Sequence, residues 1–464
     1  MIELKTGLFP HQARAVEKLL PIKVGALYME MGTGKTRTAL EMIKRRQESG
    51  KIDRVLWLCP CSVKTSLRAD IKKHAEGALS FIAIHGIESL SSSVSLYAAL
   101  DHFIASGKTM LVVDESNLVK NSAAIRTQRI TRLARGCAYR LLLNGTPISN
   151  NEADLYAQWY LLDWRILGYR SYWSFAANHL EFDHRFQSRI RRVLNVDYLA
   201  DKIAPYSYTV KKADCLSLPG KRALKAGFSL TPGQWAHYES TMRAFLGTFA
   251  ERSGGISDIA IYRTFIALQA VTSGHKMLSA PEESIRHGPM FDSLYENPRI
   301  QCLKKVLKHA GEKVVIWVKF THELFDIQKI LQEEYGRDST ALFYGGINQR
   351  CRQQELDRFS VSARFLIANK SCAGYGLNLQ YCHTAVYYNN DWSWATRAQS
   401  EDRLHRLGQA HDVEIVDIYA EDTIDQRILA CLERKENLAE RFRSELKLRN
   451  GVLWLHGRET EDNK

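Results

Sequence analysis

Short apolar runs rich in β-branched residues alternate with longer stretches of helical periodicity at both ends of this chain, the pattern of parallel α/β sheets. Val24 to Tyr28, Val55 to Leu58, Met110 to Val113 and Arg140 to Leu143 read as strands of a first lobe, residues 1–150. Each run gives way to polar or glycine-bearing residues, and ligands of such sheets bind beyond the carboxyl ends of the strands. Lys313 to Val318, Ala341 to Phe343, Phe365 to Ala368, Thr384 to Tyr388 and Glu414 to Tyr419 predict a second α/β lobe, residues 298–448.

Between the lobes, residues 151–297 carry aromatics at helical spacing, such as Tyr156, Trp159 and Tyr160, and little strand signal. They read as helical insertions and a linker, with break points at Ser253-Gly254-Gly255 and over Glu282 to Pro298. Residues 449–464 form a tail that ends in a charged, frayed run.

Charge sharpens this picture. Sixty-four Lys and Arg against 51 Asp and Glu leave a net charge of +13, which favours a polyanionic partner. The nine cysteines are scattered, without CxxC pairs or zinc-finger spacing, so reduced thiols and no structural metal are expected. Cys59-Pro60-Cys61 ends an apolar run, where small buried side chains fit. No apolar run approaches membrane-spanning length and Met1 to Pro10 lacks the pattern of a secretion signal, so no membrane association and an intracellular protein are expected.

The most specific chemistry follows the first strand. Glu30-Met31-Gly32-Thr33-Gly34-Lys35-Thr36 leads into the helical stretch Arg37 to Gln47, a strand, loop and helix suited to phosphate. Gly32 and Gly34 let backbone N–H groups close round the phosphates, Lys35 reaches the terminal phosphates and Thr36 ligates magnesium. Met31 and Thr33 complete the ATP-binding loop, and Met29 stands where the strict motif has its first glycine. The strand Met110 to Val113 runs into Asp114-Glu115, placing one acid on the magnesium shell and the other on the attacking water.

With Asn144-Gly145-Thr146-Pro147 and the run Gln399-Ser400-Glu401-Asp402-Arg403-Leu404-His405-Arg406-Leu407-Gly408-Gln409, the chain resembles the Swi/Snf-type ATPases of helicase superfamily II over nearly its whole length. The resemblance implies two RecA-like P-loop lobes, with ATP and Mg2+ as cofactors. It makes Arg403 and Arg406 arginine fingers, set on one face of a helix by their spacing. It makes Gln12, in Leu8-Phe9-Pro10-His11-Gln12, the reader of the adenine.

Candidate nucleic-acid contacts follow from the same resemblance: Ser62 and Lys64 after the second strand, Gly145 and Thr146, Gly345 and Gly346, and Ser371, Gly374 and Gly376 in the second-lobe glycine motif. Trp392 stands where the family carries a tryptophan facing nucleic acid, although a core position fits it nearly as well. Four departures stand out: Asn117 where relatives have histidine, Leu67 for a tryptophan, Trp394 for a proline, and Thr209-Val210-Lys211-Lys212 for an Arg-Arg-Thr-Lys run.

The function implied is ATP-dependent translocation on double-stranded DNA, with remodelling of bound proteins. Two alternatives stay open: a strand-separating DNA or RNA helicase, and an ATP-gated clamp. The chain shows no histone-tail reader, zinc module or nuclease constellation. That implies a monomer targeted by its helical insertions or by a protein partner, in a bacterium or phage-infected cell rather than a nucleus.

Overall fold

The computed structural model describes residues 2–145, 152–182, 190–215, 218–250, 257–278, 286–369, 377–406, 408–447 and 454–456. The chain divides into two compact units, the first Met1–Ser217 and the second beginning at Leu218.

The first unit is built on a six-stranded sheet, all parallel, in the order Ser207–Val210, Val24–Met29, Tyr139–Asn144, Thr109–Asp114, Arg54–Cys59, Ile82–Gly86. Near-continuous apolar strands arise because both faces are covered. Leu27, Met29, Val55 and Trp57 pack on one side, and Ala26, Tyr28, Leu56 and Leu58 on the other. The first face receives helices Pro10–Leu19, Lys35–Glu48 and Lys64–His74; the second receives Ile125–Arg135 and Asp154–Leu167. Leu67, one of the departures, is a core residue 4% exposed.

The second unit repeats the architecture: a parallel sheet in the order Lys221–Phe228, Val413–Ala420, Thr384–Tyr387, Val314–Val318, Phe365–Asn369, Thr340–Phe343. Helices Pro232–Ala250, Asp258–Thr272, Pro298–His309, Thr321–Tyr335, Ile424–Arg434 and Leu438–Lys447 join its core. Both units are thus RecA-like α/β folds with parallel sheets.

Two expectations change. The stretch 151–297 is not helical throughout, since Ser207–Val210 and Lys221–Phe228 each supply an edge strand to a main sheet. Seven of the eight positions from Lys221 to Gly227 and Phe228 are at least partly exposed, so the usual apolar signal is missing. In the tail, Trp454 and Leu455 are buried in the second core, where the Tyr238 hydroxyl donates to Leu455 O at 2.7 Å. The charged end 457–464 and the Ser253-Gly254-Gly255 break point lie outside the described residues.

Candidate functional site: a nucleotide loop and an arginine turn

The strand Val24–Met29 delivers the chain to a loop whose Gly32 and Gly34 have φ of 83° and 89°, the left-handed region that side chains disfavour. Gly34 is the N-cap of helix Lys35–Glu48, and having no side chain it cannot occupy the first-turn N–H groups itself. A helix start of this kind suits an anion. Lys35 Nζ donates to Met29 O at 2.8 Å and so lies folded over the loop.

The loop is clamped from two sides. Gln12 is 2% exposed; its Nε2 donates to Thr33 O at 3.0 Å and its Oε1 accepts from Phe9 N at 3.1 Å. His11 Nε2 also lies 2.8 Å from Thr33 O. On the other side Glu30 N donates to Val210 O at 3.1 Å, and Glu30 Oε2 accepts from Lys212 N at 2.7 Å. The departure Thr209-Val210-Lys211-Lys212 therefore docks beside the loop, and Glu30 is a positioning residue the motif alone did not single out.

Asp114 ends its strand and accepts a hydrogen bond from Glu115 N at 3.0 Å. Glu115 sits at φ 50°, a strained setting for a non-glycine residue. Burial, then the charge of Glu115, push the Asp114 carboxyl up to about 7, against the opposing effect of Lys35. Two adjacent acids facing one lysine leave surplus negative charge that a divalent cation would offset. Thr36, in the first turn of the loop helix, and Asp114 would hold magnesium. Held by these residues, a divalent ion would supply neutralisation of charge on phosphate oxygens.

The next strand braces the acids. Asn144, fully buried, donates from Nδ2 to Ser116 Oγ at 3.2 Å, and Ser116 Oγ donates to Gln158 Oε1 at 2.5 Å. The Oδ1 of Asn117 is buried with no partner among the described residues. A Cβ at Gly145 would lie 3.5 Å from Lys35 Nζ and 3.3 Å from Met31 Cγ, so Gly145 flanks the nucleotide loop. Thr146 and Pro147 lie outside the described residues.

In the second unit, helix Trp394–Glu401 stops before the two arginines. Arg403 and Arg406 stand on the turn that follows, which corrects the expectation that one helix face presents both. Arg403 O accepts from Leu379 N at 3.1 Å, and Gln409 Nε2 donates to Leu404 O at 3.2 Å, fixing the turn. Beneath it, Arg397 makes a two-pronged contact with Asp417 at 2.5 and 2.9 Å and donates to Glu401 Oε1 at 2.6 Å. The Tyr387 ring lies 3.5 Å from the Arg397 guanidinium, and Lys221 Nζ donates to Glu401 Oε2 at 2.8 Å. Arg397 and Asp417 are positioning residues that no local motif advertised.

The candidate nucleic-acid contacts fall into three groups. Ser62 and Lys64 are half-buried at the start of helix Lys64–His74, where burial and then the charges of Lys64 and Arg68 hold the His85 imidazole below its usual range. Gly345 and Gly346 are exposed after strand Thr340–Phe343, with Arg352 Nη2 donating to Gly345 O at 2.9 Å. Trp392 is half-buried; it stacks on Tyr262 at 4.8 Å, and Lys319 Nζ lies 3.6 Å from its ring centre. Ser371, Gly374 and Gly376 lie outside the described residues. Trp394, another departure, is exposed, with Lys435 Nζ 4.7 Å from its ring centre.

Paired RecA-like units, a phosphate loop and adjacent acids define an ATP-hydrolysing enzyme of the helicase superfamily. Comparison with known proteins gives the particular kind. The SNF2-related domain family matches residues 80–277, the helicase conserved C-terminal domain matches 298–408, and the res subunit of type III restriction enzymes matches 5–148. The chain thus carries an SNF2-related domain followed by a helicase C-terminal domain, and ATPases of this kind bind nucleotide with a divalent metal.

Among relatives, the CHD3-type chromatin-remodeling factor PICKLE of Arabidopsis thaliana is 26% identical over 353 residues, 73% of this chain and 24% of PICKLE. The ATP-dependent helicase YqhH of Bacillus subtilis is 23% identical, covering 94% of this chain and 80% of YqhH. The chain thus spans about a quarter of the first relative's length and most of the second's. The solved SWI2/SNF2 ATPase core of Sulfolobus solfataricus in complex with dsDNA is 20% identical, covering 97% of this chain and 95% of that one, with a TM-score of 0.41.

Proposed function

We propose that this SNF2-type ATPase is a double-stranded DNA translocase that couples ATP hydrolysis to movement and to remodelling of bound proteins. The observation that carries the reading is the division of labour between the units. Lys35, Asp114 and Glu115 stand in the first, while the turn bearing Arg403 and Arg406 belongs to the second. Glu115 accepts the proton of the attacking water, Lys35 holds the terminal phosphate, and the arginines offset the charge developing in transfer. An arginine finger carried by a different unit from the nucleotide loop would make each turnover a conformational event, and that is what a motor requires.

A track of phosphates fits the net charge of +13 and the basic start of helix Lys64–His74. Relatives whose names specify chromatin remodelling and DNA binding, PICKLE and the chromodomain-helicase-DNA-binding protein 3 homolog of Caenorhabditis elegans, point the same way.

The test is the ATPase rate at one fixed low salt with duplex DNA, single-stranded DNA or RNA, with Glu115→Gln as control. Strong stimulation by duplex DNA alone, followed by displacement of a triplex strand without unwinding of a tailed duplex, supports translocation. Preference for single strands or RNA would replace it by the strand-separating helicase. No stimulation by any of them would replace it by an ATP-gated clamp.

A further inference from the structure

Three histidines of the second unit converge on one point, and none of them has a role in the chemistry above. His275 and His287 come from the short antiparallel strands His275–Met277 and His287–Pro289, paired so that Met277 lies opposite His287. Alternation along a strand puts His275 and Met277 on the same face, so the two imidazoles are diagonal neighbours. His322 is in the first turn of helix Thr321–Tyr335. The three ring centres are separated by 3.7, 4.5 and 5.1 Å.

The nitrogens decide what the cluster is for. One from each ring lies within 4.8 Å of the other two. His275 Nδ1, His287 Nδ1 and His322 Nε2 are buried and without a hydrogen-bond partner among the described residues. A cluster serving only as core would turn each ring so that N–H groups meet carbonyls or lone pairs, because buried polar atoms are otherwise satisfied. Burial, then the neighbouring imidazole, pushes His275 down to about 4; burial, then both neighbours, pushes His322 down to about 3. An imidazole nitrogen without a proton has a lone pair to offer a metal.

We propose that His275, His287 and His322 form a binding site for one zinc-like divalent transition-metal ion, with a fourth coordination position left to water. Three imidazoles and no carboxylate select against calcium and magnesium, which take oxygen ligands. Tetrahedral zinc with bonds of about 2.0–2.1 Å needs its ligand nitrogens about 3.4 Å apart, so the rings draw inward on binding. The surroundings suit that role. Phe320 stacks on His322 with 11° between the rings, and the His275 ring makes a hydrogen bond to the backbone of Ser273. Supporting contacts of this kind fix the orientation of ligand imidazoles.

The ion would tie the strand pair after helix Asp258–Thr272 to the start of helix Thr321–Tyr335. Ser273 Oγ already joins these elements by donating to Glu323 Oε1 at 2.7 Å. Its three ligands all belong to the second unit, and none is a residue of the nucleotide loop or the acid pair.

The test uses the whole chain, stripped with chelator and titrated with Zn2+ and then with Co2+. One equivalent of Zn2+ is expected, with a rise in Tm. Co2+ should give the visible bands of a tetrahedral nitrogen site. His275→Ala with His322→Ala should weaken Zn2+ binding more than about 100-fold, whereas the exposed His102→Ala should not change it. If the double variant does not fold, His287→Gln serves in its place, with the same loss of affinity and of the Co2+ bands expected. Uptake below one equivalent, or one equivalent that survives these substitutions, would mean an adventitious ion only and would overturn the proposal.

Discussion

Asn144 Nδ2 donates to Ser116 Oγ at 3.2 Å, joining the ends of two neighbouring parallel strands just beyond the acid pair Asp114-Glu115. Ser116 passes the contact on to Gln158, so the acids rest on three buried polar side chains. Ser116→Ala breaks both links while leaving every charged group in place. We expect turnover to fall about 10–100-fold, the range for supporting contacts in such sites, with nucleotide affinity nearly unchanged. Steady-state ATPase rates beside equilibrium binding of a fluorescent nucleotide check this.

Glu115→Gln removes the carboxylate proposed as the base but not the loop. Turnover should drop by about 10²–10⁴-fold, the usual weight of a general base, and bound ATP should persist uncleaved. Lys35→Ala should instead lose nucleotide binding or turnover outright. Single-turnover measurements with radiolabelled ATP separate the two.

Gly34→Ala meets two obstacles, a φ of 89° and a Cβ that would lie 2.1 Å from Gln12 Nε2. The backbone strain alone costs about 1–2 kcal/mol. Adding Gln12→Ala removes the clash and leaves the strain. The double variant should recover part of the lost thermal stability, and no recovery on calorimetry would refute the contact.

Arg397→Ala and Arg406→Ala should fail differently. Arg397→Ala leaves the buried Asp417 carboxylate without its cation, while Glu401 keeps Lys221, and loss of one partner of a buried pair costs about 3–5 kcal/mol. Arg406→Ala should keep stability and nucleotide affinity but lose DNA-stimulated turnover. Urea unfolding and ATPase rates on both variants test the split.

Lys319, beside Trp392 and Gln269, is pushed down to about 8 by burial, partly opposed by Asp391 and Glu323. Below about pH 8 it is charged both folded and unfolded, and the folded state bears the full cost of burying that charge. From about pH 8 to the ordinary value of 10.5 the unfolded chain binds the extra proton, so this residue's contribution to stability improves as pH rises. Lys319→Met should be the more stable protein at pH 7, with the gap narrowing by pH 10. Urea unfolding of both proteins across that range reads the gap.

The nine strands and the nucleotide loop read from the sequence were legible because their signals are local: continuous apolar runs, and a glycine-lysine-threonine order that needs no partner. The edge strand Lys221–Phe228 hid because its side chains face water. The turn at Arg403 looked helical because three-residue spacing suits a helix, but Leu379 N–H captures the Arg403 carbonyl from another segment. Arg397 with Asp417, and the three histidines, meet only once the second unit has folded, so no window of sequence displays them.

Both main sheets are closed at one edge by a strand whose partner is far away in the chain. Val24–Met29 pairs with Ser207–Val210, and Lys221–Phe228 pairs with Val413–Ala420. On the ribosome, the strand that carries the nucleotide loop can pair on one side once residue 144 has emerged, but its other edge stays bare until residue 210 follows. Lys221–Phe228 must wait while most of the second unit is synthesised. A bare strand edge is a template for aggregation, and lysine is a common guard against it. Lys221, Arg222 and Lys225 give this waiting edge its protection, so replacing them with neutral residues should tax the yield of soluble nascent protein more than the stability of the finished fold.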